Sequence, residues 1–189
     1  MYADDIRAYR PQDEQEETDR RIILEYVDRY PDTVLTRQNE YAHITSSGVV
    51  VNADATKVLM AHHNIYKVWA WTGGHADGDS DLLAVALREA SEETGITHVR
   101  PLSSDIASLD ILPVWGHVKR GKYVAAHQHL NVSYLLTADE SDALTIREGE
   151  NTGVAWLPAD RLTELTNEWQ MDYVYLKLLR RARALLGLE

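Results

Sequence analysis

Three glutamates, Glu89, Glu92 and Glu93, fall at helical spacing in the run Arg88-Glu89-Ala90-Ser91-Glu92-Glu93. On an α-helix, positions i, i+3 and i+4 share a face, so the three carboxylates project together. Like charges at that spacing repel. Such a face therefore requires either open water around it or hard divalent cations, Mg²⁺ or Mn²⁺, which take oxygen ligands. A glycine pair, Gly73-Gly74, precedes the helix, and His75 and Asp77 lie in the loop between, close enough in sequence to bind a ligand or to support the groups that do.

Other residue types along the chain could serve the substrate. Alternation over residues 123–136 puts Leu130, Val132, Tyr134 and Leu136 on one strand face and His127, His129, Asn131 and Ser133 on the other. His127 and His129 could meet a phosphate or a metal, or form a hydrogen-bonded pair at the sheet surface. Trp69 and Trp71 share a face of the strand entering the glycine pair, where they could stack on a flat group or pack in the core. Lys119 and Arg120, with Lys122, occupy a hairpin turn, either clamping a second phosphate or remaining solvated. Together these residues suggest a nucleotide-like small substrate.

The elements that must position these groups read as α/β. Ile22, Ile23, Tyr26, Val27 and Tyr30 recur at helical spacing, which predicts an N-terminal helix over residues 13–30 closed by Pro31. The acidic run at its start reads as a solvated first turn that matches the helix dipole. Short β-rich runs at 44–51, 57–62 and 68–71 predict strands of one sheet. The carboxylate helix is predicted over 81–94, with Leu83, Leu87 and Ala90 packing on the sheet and Gly95 as a left-handed cap. Further strands are expected at 114–118 and 123–136, then a closing amphipathic helix over 167–186 with Trp169, Tyr173, Leu176 and Leu179 on one face. The basic end of that helix, with Lys177, Arg180, Arg181 and Arg183, matches its dipole.

Composition narrows the function classes. At 189 residues the chain holds one domain with appendages. The absence of cysteine excludes disulfides, thiolate metal sites and cysteine nucleophiles, and fits a cytoplasmic protein. A net charge of −11 argues against binding long nucleic acid, because phosphate backbones are met with excess Lys and Arg. No run has the length to cross a membrane, and the polar start lacks the apolar stretch of a secretory signal.

The run from Gly74 to Ile96 resembles the Nudix family, whose box reads G-x₅-E-x₇-R-E-U-x-E-E-x-G-U, U being a bulky aliphatic residue. Gly74, Arg88, Glu89, Glu92, Glu93, Gly95 and Ile96 fall in register. Ser80 replaces the first Glu of the box, and Ala90 stands at the first U; Ser80 could cap the helix and Asp79 or Asp81 could pair with Arg88. The resemblance implies an α/β/α sandwich with a mixed sheet over residues 42–189, preceded by a helical extension over 1–41. It implies a hydrolase that cleaves a diphosphate linkage in a small substrate with Mg²⁺ or Mn²⁺. Glu89, Glu92 and Glu93 would hold one to three cations, the Gly74 carbonyl would complete the coordination, and Arg88 would orient the glutamates. Glu148 and Glu150 are the candidates for a further ligand or base from a later loop, and a homodimer is expected. Two alternatives remain: a non-catalytic nucleotide-sensing module on the same fold, and an isomerase of allylic diphosphates, which usually works through a cysteine this chain lacks.

Overall fold

The computed structural model describes residues 2–119 and 121–188. Five α-helices and ten strands follow in chain order: α1 (Tyr2–Ala8), α2 (Glu14–Arg29), β1 (Ala42–Val51), β2 (Lys57–His63), β3 (Trp69–Ala70), β4 (Thr72–His75), α3 (Leu82–Thr94), β5 (Arg100–Pro101), β6 (Ser108–Val114), β7 (His117–Lys119), β8 (Lys122–Val124), β9 (His127–Thr137), β10 (Asn151–Pro158), α4 (Leu162–Thr166) and α5 (Asp172–Leu186). All but β7 and β8 join one mixed sheet.

At its centre β1 and β9 run parallel, His43 opposite His129 and Thr45 opposite Asn131. Every residue of β1 is buried, as expected for a strand covered on both faces. The outer edge of β1 is shared: β4 pairs with Thr45–Gly48, and β2 pairs only with Val50 and Val51. That fork separates β4, which carries the glycine pair, from the far half of β2, which pairs with β3 and β10.

Helices cover both faces. On one, Ile44, Val50, Leu130, Val132, Tyr134 and Leu136 form a core with α3 and with Ile23 and Val27 of α2. On the other, Val49, Val51, Met60 and Leu135 pack against Val174, Tyr175, Leu178, Leu179 and Ala182 of α5. The α/β/α sandwich with a mixed sheet and an N-terminal helix is thus as expected. The line that seats α3 is Leu82, Val85, Ala86 and Ala90, while Leu83 and Leu87 are only partly buried at its flank. α5 starts at Asp172 and not at 167, so Trp169 lies before it, and its expected apolar face is turned: Leu179 is buried, but Tyr173 and Leu176, like Trp169, are exposed.

The termini of the sequence are tied together. α2 runs past the open edge of β6, where the Gln15 side-chain amide donates to the Leu109 carbonyl (3.3 Å) and Asp19 accepts from the Ile111 amide (2.9 Å). Satisfying these groups closes a strand edge that would otherwise invite another chain. Glu16, read from sequence as part of a solvated turn, is instead fully buried. Its carboxylate meets Arg181 and Lys177 of α5, and Lys177 also bonds Asp110 of β6 at 2.7 Å. The basic residues of α5 therefore do more than match a dipole: two of them hold the N-terminal helix in place.

Candidate active site

Asp81 caps α3, accepting from the Ala84 amide, and Gly95 ends it at φ 77°. The cap is thus Asp81 and not Ser80, which is exposed at the helix start. Gly95 is needed twice over, since a side chain there would strain the backbone and meet Thr145.

Along α3, Glu89 and Glu93 are half-buried and Glu92 is exposed. Burial, then the neighbouring Glu92 charge, raises the Glu89 carboxyl above its ordinary range. Glu93 is pushed up to about 8, by burial first and by Glu89 second, against a hydrogen bond from the Gly73 amide. The cluster holds more negative charge than its surroundings stabilise, which is the donor set a hard cation requires.

Part of that charge is met by a residue the sequence reading did not single out. The Arg147 guanidinium lies 2.9 Å from Glu92, 3.3 Å from Glu150 and 3.7 Å from Glu89. Its loop lies over the end of α3: Thr145 donates its amide to the Thr94 carbonyl, and the Asn151 side chain donates to the Glu93 carbonyl (2.7 Å). Glu150 therefore sits beside the box glutamates, and its charge acts on both Glu89 and Glu93. Glu148 is exposed and makes no hydrogen bond or ion pair among the described residues. Arg88 turns to Asp79, 3.4 Å away, and it is Arg147 that touches the glutamates.

Gly74 is tight against Glu89: a Cβ there would lie 2.5 Å from the Glu89 Cδ. Because that clash is with a flexible side chain, Gly74→Ala is expected to cost about 1 kcal/mol of stability, the low end for added volume, while displacing the carboxylate. The stabilisation of the protein by Mg²⁺, read as a melting shift across a titration, should weaken at least tenfold. An unchanged titration would mean that Glu89 does not meet the cation.

The neighbouring histidines gather on the opposite side of β4. His75 follows Gly74 and alternates away from α3, its ring centroid 5.0 Å from those of His43 and His129. His127 stacks on His43 at 5.0 Å. Burial above all lowers His75 to about 4 and His129 to about 2, and lowers His43 as well, so these rings are neutral near pH 7. Lys119, at the end of β7, adds its positive charge to the field at His75 and His129. Arg120 lies outside the described residues.

Trp69 and Trp71 are half-buried against the α5 side of the core, Trp71 edge-on to Tyr175 at 5.4 Å and Trp69 edge-on to His62 at 5.2 Å. His43 was not a sequence candidate. Only its pairing with His129, across 86 residues of chain, brings it to the group.

A carboxylate helix seated behind a glycine strand on a mixed sheet, flanked by helices on both faces, defines an α/β/α fold built around an acidic helix face. The NUDIX domain family model matches residues 42–179. The chain belongs to this family, the Nudix hydrolases. Among solved structures, the Caenorhabditis elegans Ap4A hydrolase in a binary complex is similar at a TM-score of 0.53 and 19% identity, covering 76% of this chain and 97% of that one. The Escherichia coli dihydroneopterin triphosphate pyrophosphohydrolase is similar at 0.54 and 16%, covering 74% and 96%. A NUDIX-family hydrolase from Clostridium perfringens is similar at 0.50 and 24%, covering 77% and 97%. No curated protein matches the sequence.

Proposed function

We propose that the protein is a pyrophosphohydrolase that cleaves a diphosphate linkage in a small nucleotide-like substrate with Mg²⁺ or Mn²⁺. The observation that carries this reading is the convergence of Glu89, Glu92 and Glu150 on a single guanidinium, that of Arg147, with Glu93 on the same helix close enough to Glu89 to feel its charge. The carboxylates already accept positive charge, yet burial first and a neighbouring glutamate second hold Glu89 and Glu93 above their ordinary pKa. Glu89, Glu92, Glu93 and the Gly74 carbonyl would hold the cation, with Glu150 as a further ligand or base. The bound cation supplies charge neutralisation at phosphate and a water of lowered pKa. Arg147, once a cation takes its place among the glutamates, is free to meet a phosphate oxygen with its planar fork of donors. Lys119, and Arg120 beyond it, would answer the charge of a second phosphate. Trp69 and Trp71, both only partly buried, could offer a flat face to a base.

Two structural relatives are named for phosphate-anhydride substrates, Ap4A and dihydroneopterin triphosphate, and these set the panel for the test. Purified protein with Mg²⁺ or Mn²⁺ is expected to release phosphate or a nucleoside monophosphate from dinucleoside polyphosphates, nucleoside triphosphates or nucleoside diphosphate sugars. Tight nucleotide binding without turnover under any metal would replace this reading with the sensing module. Conversion of isopentenyl diphosphate without hydrolysis would replace it with the isomerase. Among the described residues no helix is long and apolar enough to cross a membrane, and a cytoplasmic location is proposed with the hydrolase. A homodimer is proposed too, with the exposed Trp169, Tyr173 and Leu176 as its supporting surface, and sedimentation at two concentrations tests it.

A further inference from the structure

On the face of the sheet opposite the carboxylate helix, the facing nitrogens of His43, His75 and His129 all lie within 4.8 Å of one another. We infer that these three histidines form a second metal site, selective for a borderline transition ion of the Zn²⁺ class and separate from the carboxylate site for Mg²⁺ or Mn²⁺.

Four observations lead there. His43 is buried, at 4% exposure, and its Nδ1 lies 2.9 Å from the Asn39 carbonyl, which fixes the hydrogen on that nitrogen and leaves the Nε2 lone pair bare. A backbone carbonyl on one ring nitrogen is the usual way a protein orients a histidine whose other nitrogen binds metal. Next, the buried Nε2 atoms of both His43 and His129 have no hydrogen-bond partner among the described residues. Burying two unpartnered ring nitrogens side by side is unfavourable, and a cation between them would take the lone pair that each neutral ring can turn toward it. Third, no hydrogen bond joins these rings to one another among the described residues, so the cluster is not a self-satisfied histidine pair. Fourth, the rings are fixed from rigid elements, since His43 and His129 are register partners on the parallel β1 and β9, and His75 projects from β4 opposite Thr45.

Ligand chemistry selects the ion. Imidazole nitrogen suits Zn²⁺, Co²⁺, Ni²⁺ and Cu²⁺, while Mg²⁺ prefers oxygen. Tetrahedral Zn²⁺ takes nitrogens at about 2.0–2.1 Å, which places donors roughly 3.3 Å apart, a separation that small ring rotations reach from the present geometry. Three histidines leave a fourth position for water or an anionic ligand, and the Lys119 charge acts on the same ground. An anion alone would want protonated rings, and the burial of this cluster disfavours them.

The test uses the untagged full chain, stripped with chelator and titrated with Zn²⁺ against a chromophoric zinc indicator. Parallel Co²⁺ titrations are read by visible absorption. One Zn²⁺ per chain is expected, bound more tightly than micromolar and not displaced by millimolar Mg²⁺, with Co²⁺ giving the visible bands of low-coordinate nitrogen ligation. His75→Gln and His129→Gln should each weaken Zn²⁺ at least a hundredfold, whereas Glu93→Gln should leave it unchanged. His75 and His129 are both partly buried, so either folded variant keeps the test decisive if the other fails to fold. Absence of sub-micromolar Zn²⁺ binding overturns the proposal, as does binding that survives His75→Gln or is lost in Glu93→Gln. Since no substrate enters the assay, failure of the hydrolase reading would leave its outcome untouched.

Discussion

Replacing Glu93 with Gln is expected to lower turnover by about 10²–10³-fold while raising the melting temperature of the metal-free protein at pH 8. The loss follows from removing a charged ligand where phosphate charge must be offset. The gain follows from linkage. Burial beside Glu89 pushes the Glu93 carboxyl up to about 8 from an ordinary 4.5. Between those two values the folded chain keeps a proton that the unfolded chain has released, so the stability of the metal-free protein falls as pH rises through that window. Glutamine removes the term. With allowance for partial exposure the gain at pH 8 is on the order of 2 kcal/mol, or about 4–8 °C for a chain of this size. Because a cation must displace the same proton, the melting shift induced by Mg²⁺ should grow from pH 6 to pH 8 in the parent. In the Gln variant it should be smaller and nearly flat. Parental turnover and an unchanged Mg²⁺ shift in Glu93→Gln would reduce the acidic face to solvated surface.

Lys177→Met is expected to destabilise the protein by about 3–5 kcal/mol, a fall of roughly 10–15 °C in melting temperature. Lys177 is 1% exposed and stands between two carboxylates, Glu16 and Asp110, neither of which reaches water. Methionine fills similar volume but leaves both anions short of a partner. Asp110 suffers most, because burial already raises its pKa even with Lys177 beside it, whereas Glu16 keeps Arg181. The double variant Lys177→Met with Asp110→Asn should therefore recover at least half of the loss. Burial alone would raise Glu16, yet its hydrogen bond to Arg181 and the Gln12 amide outweigh that and hold it at about 2. Its contribution is complete above about pH 4.5 and is lost as pH falls toward 2. A single variant melting within 2 °C of the parent, by calorimetry at pH 7, would show that the cluster contributes little.

The carboxylate helix was legible because its message is local: three glutamates at i, i+3 and i+4, a glycine on each side, and an arginine, all inside 23 residues. Strand and helix periodicity marked the elements as α/β, and the sandwich itself was implied by the resemblance of the Gly74–Ile96 run to the Nudix family. What could not be read depends on distant pairing or on broken pattern. β6 carries a buried Asp110 and a Pro113, which interrupt the apolar alternation that announces a strand. Glu16 reads as solvated because its counter-ions are more than 160 residues away. Arg147 is a lone arginine in a loop, and only the fold of residues 143–151 over α3 brings it to Glu92. His43 had no signal of its own until β1 and β9 were set side by side.

The tie between α2 and α5 also orders events in time. Glu16 belongs to the first tenth of the sequence, and the two cations that neutralise it, Lys177 and Arg181, to the last. During synthesis α2 is finished long before the counter-ions of Glu16 exist, so it cannot lock onto α5 until almost the whole chain has been made. Until then the outer edge of β6 stays open to other chains, and crowded refolding should lose protein to aggregates at this stage. Pulsed proteolysis during refolding would reveal it as α2 remaining cleavable after β1 and β9 are protected; simultaneous protection of all three would rule the delay out.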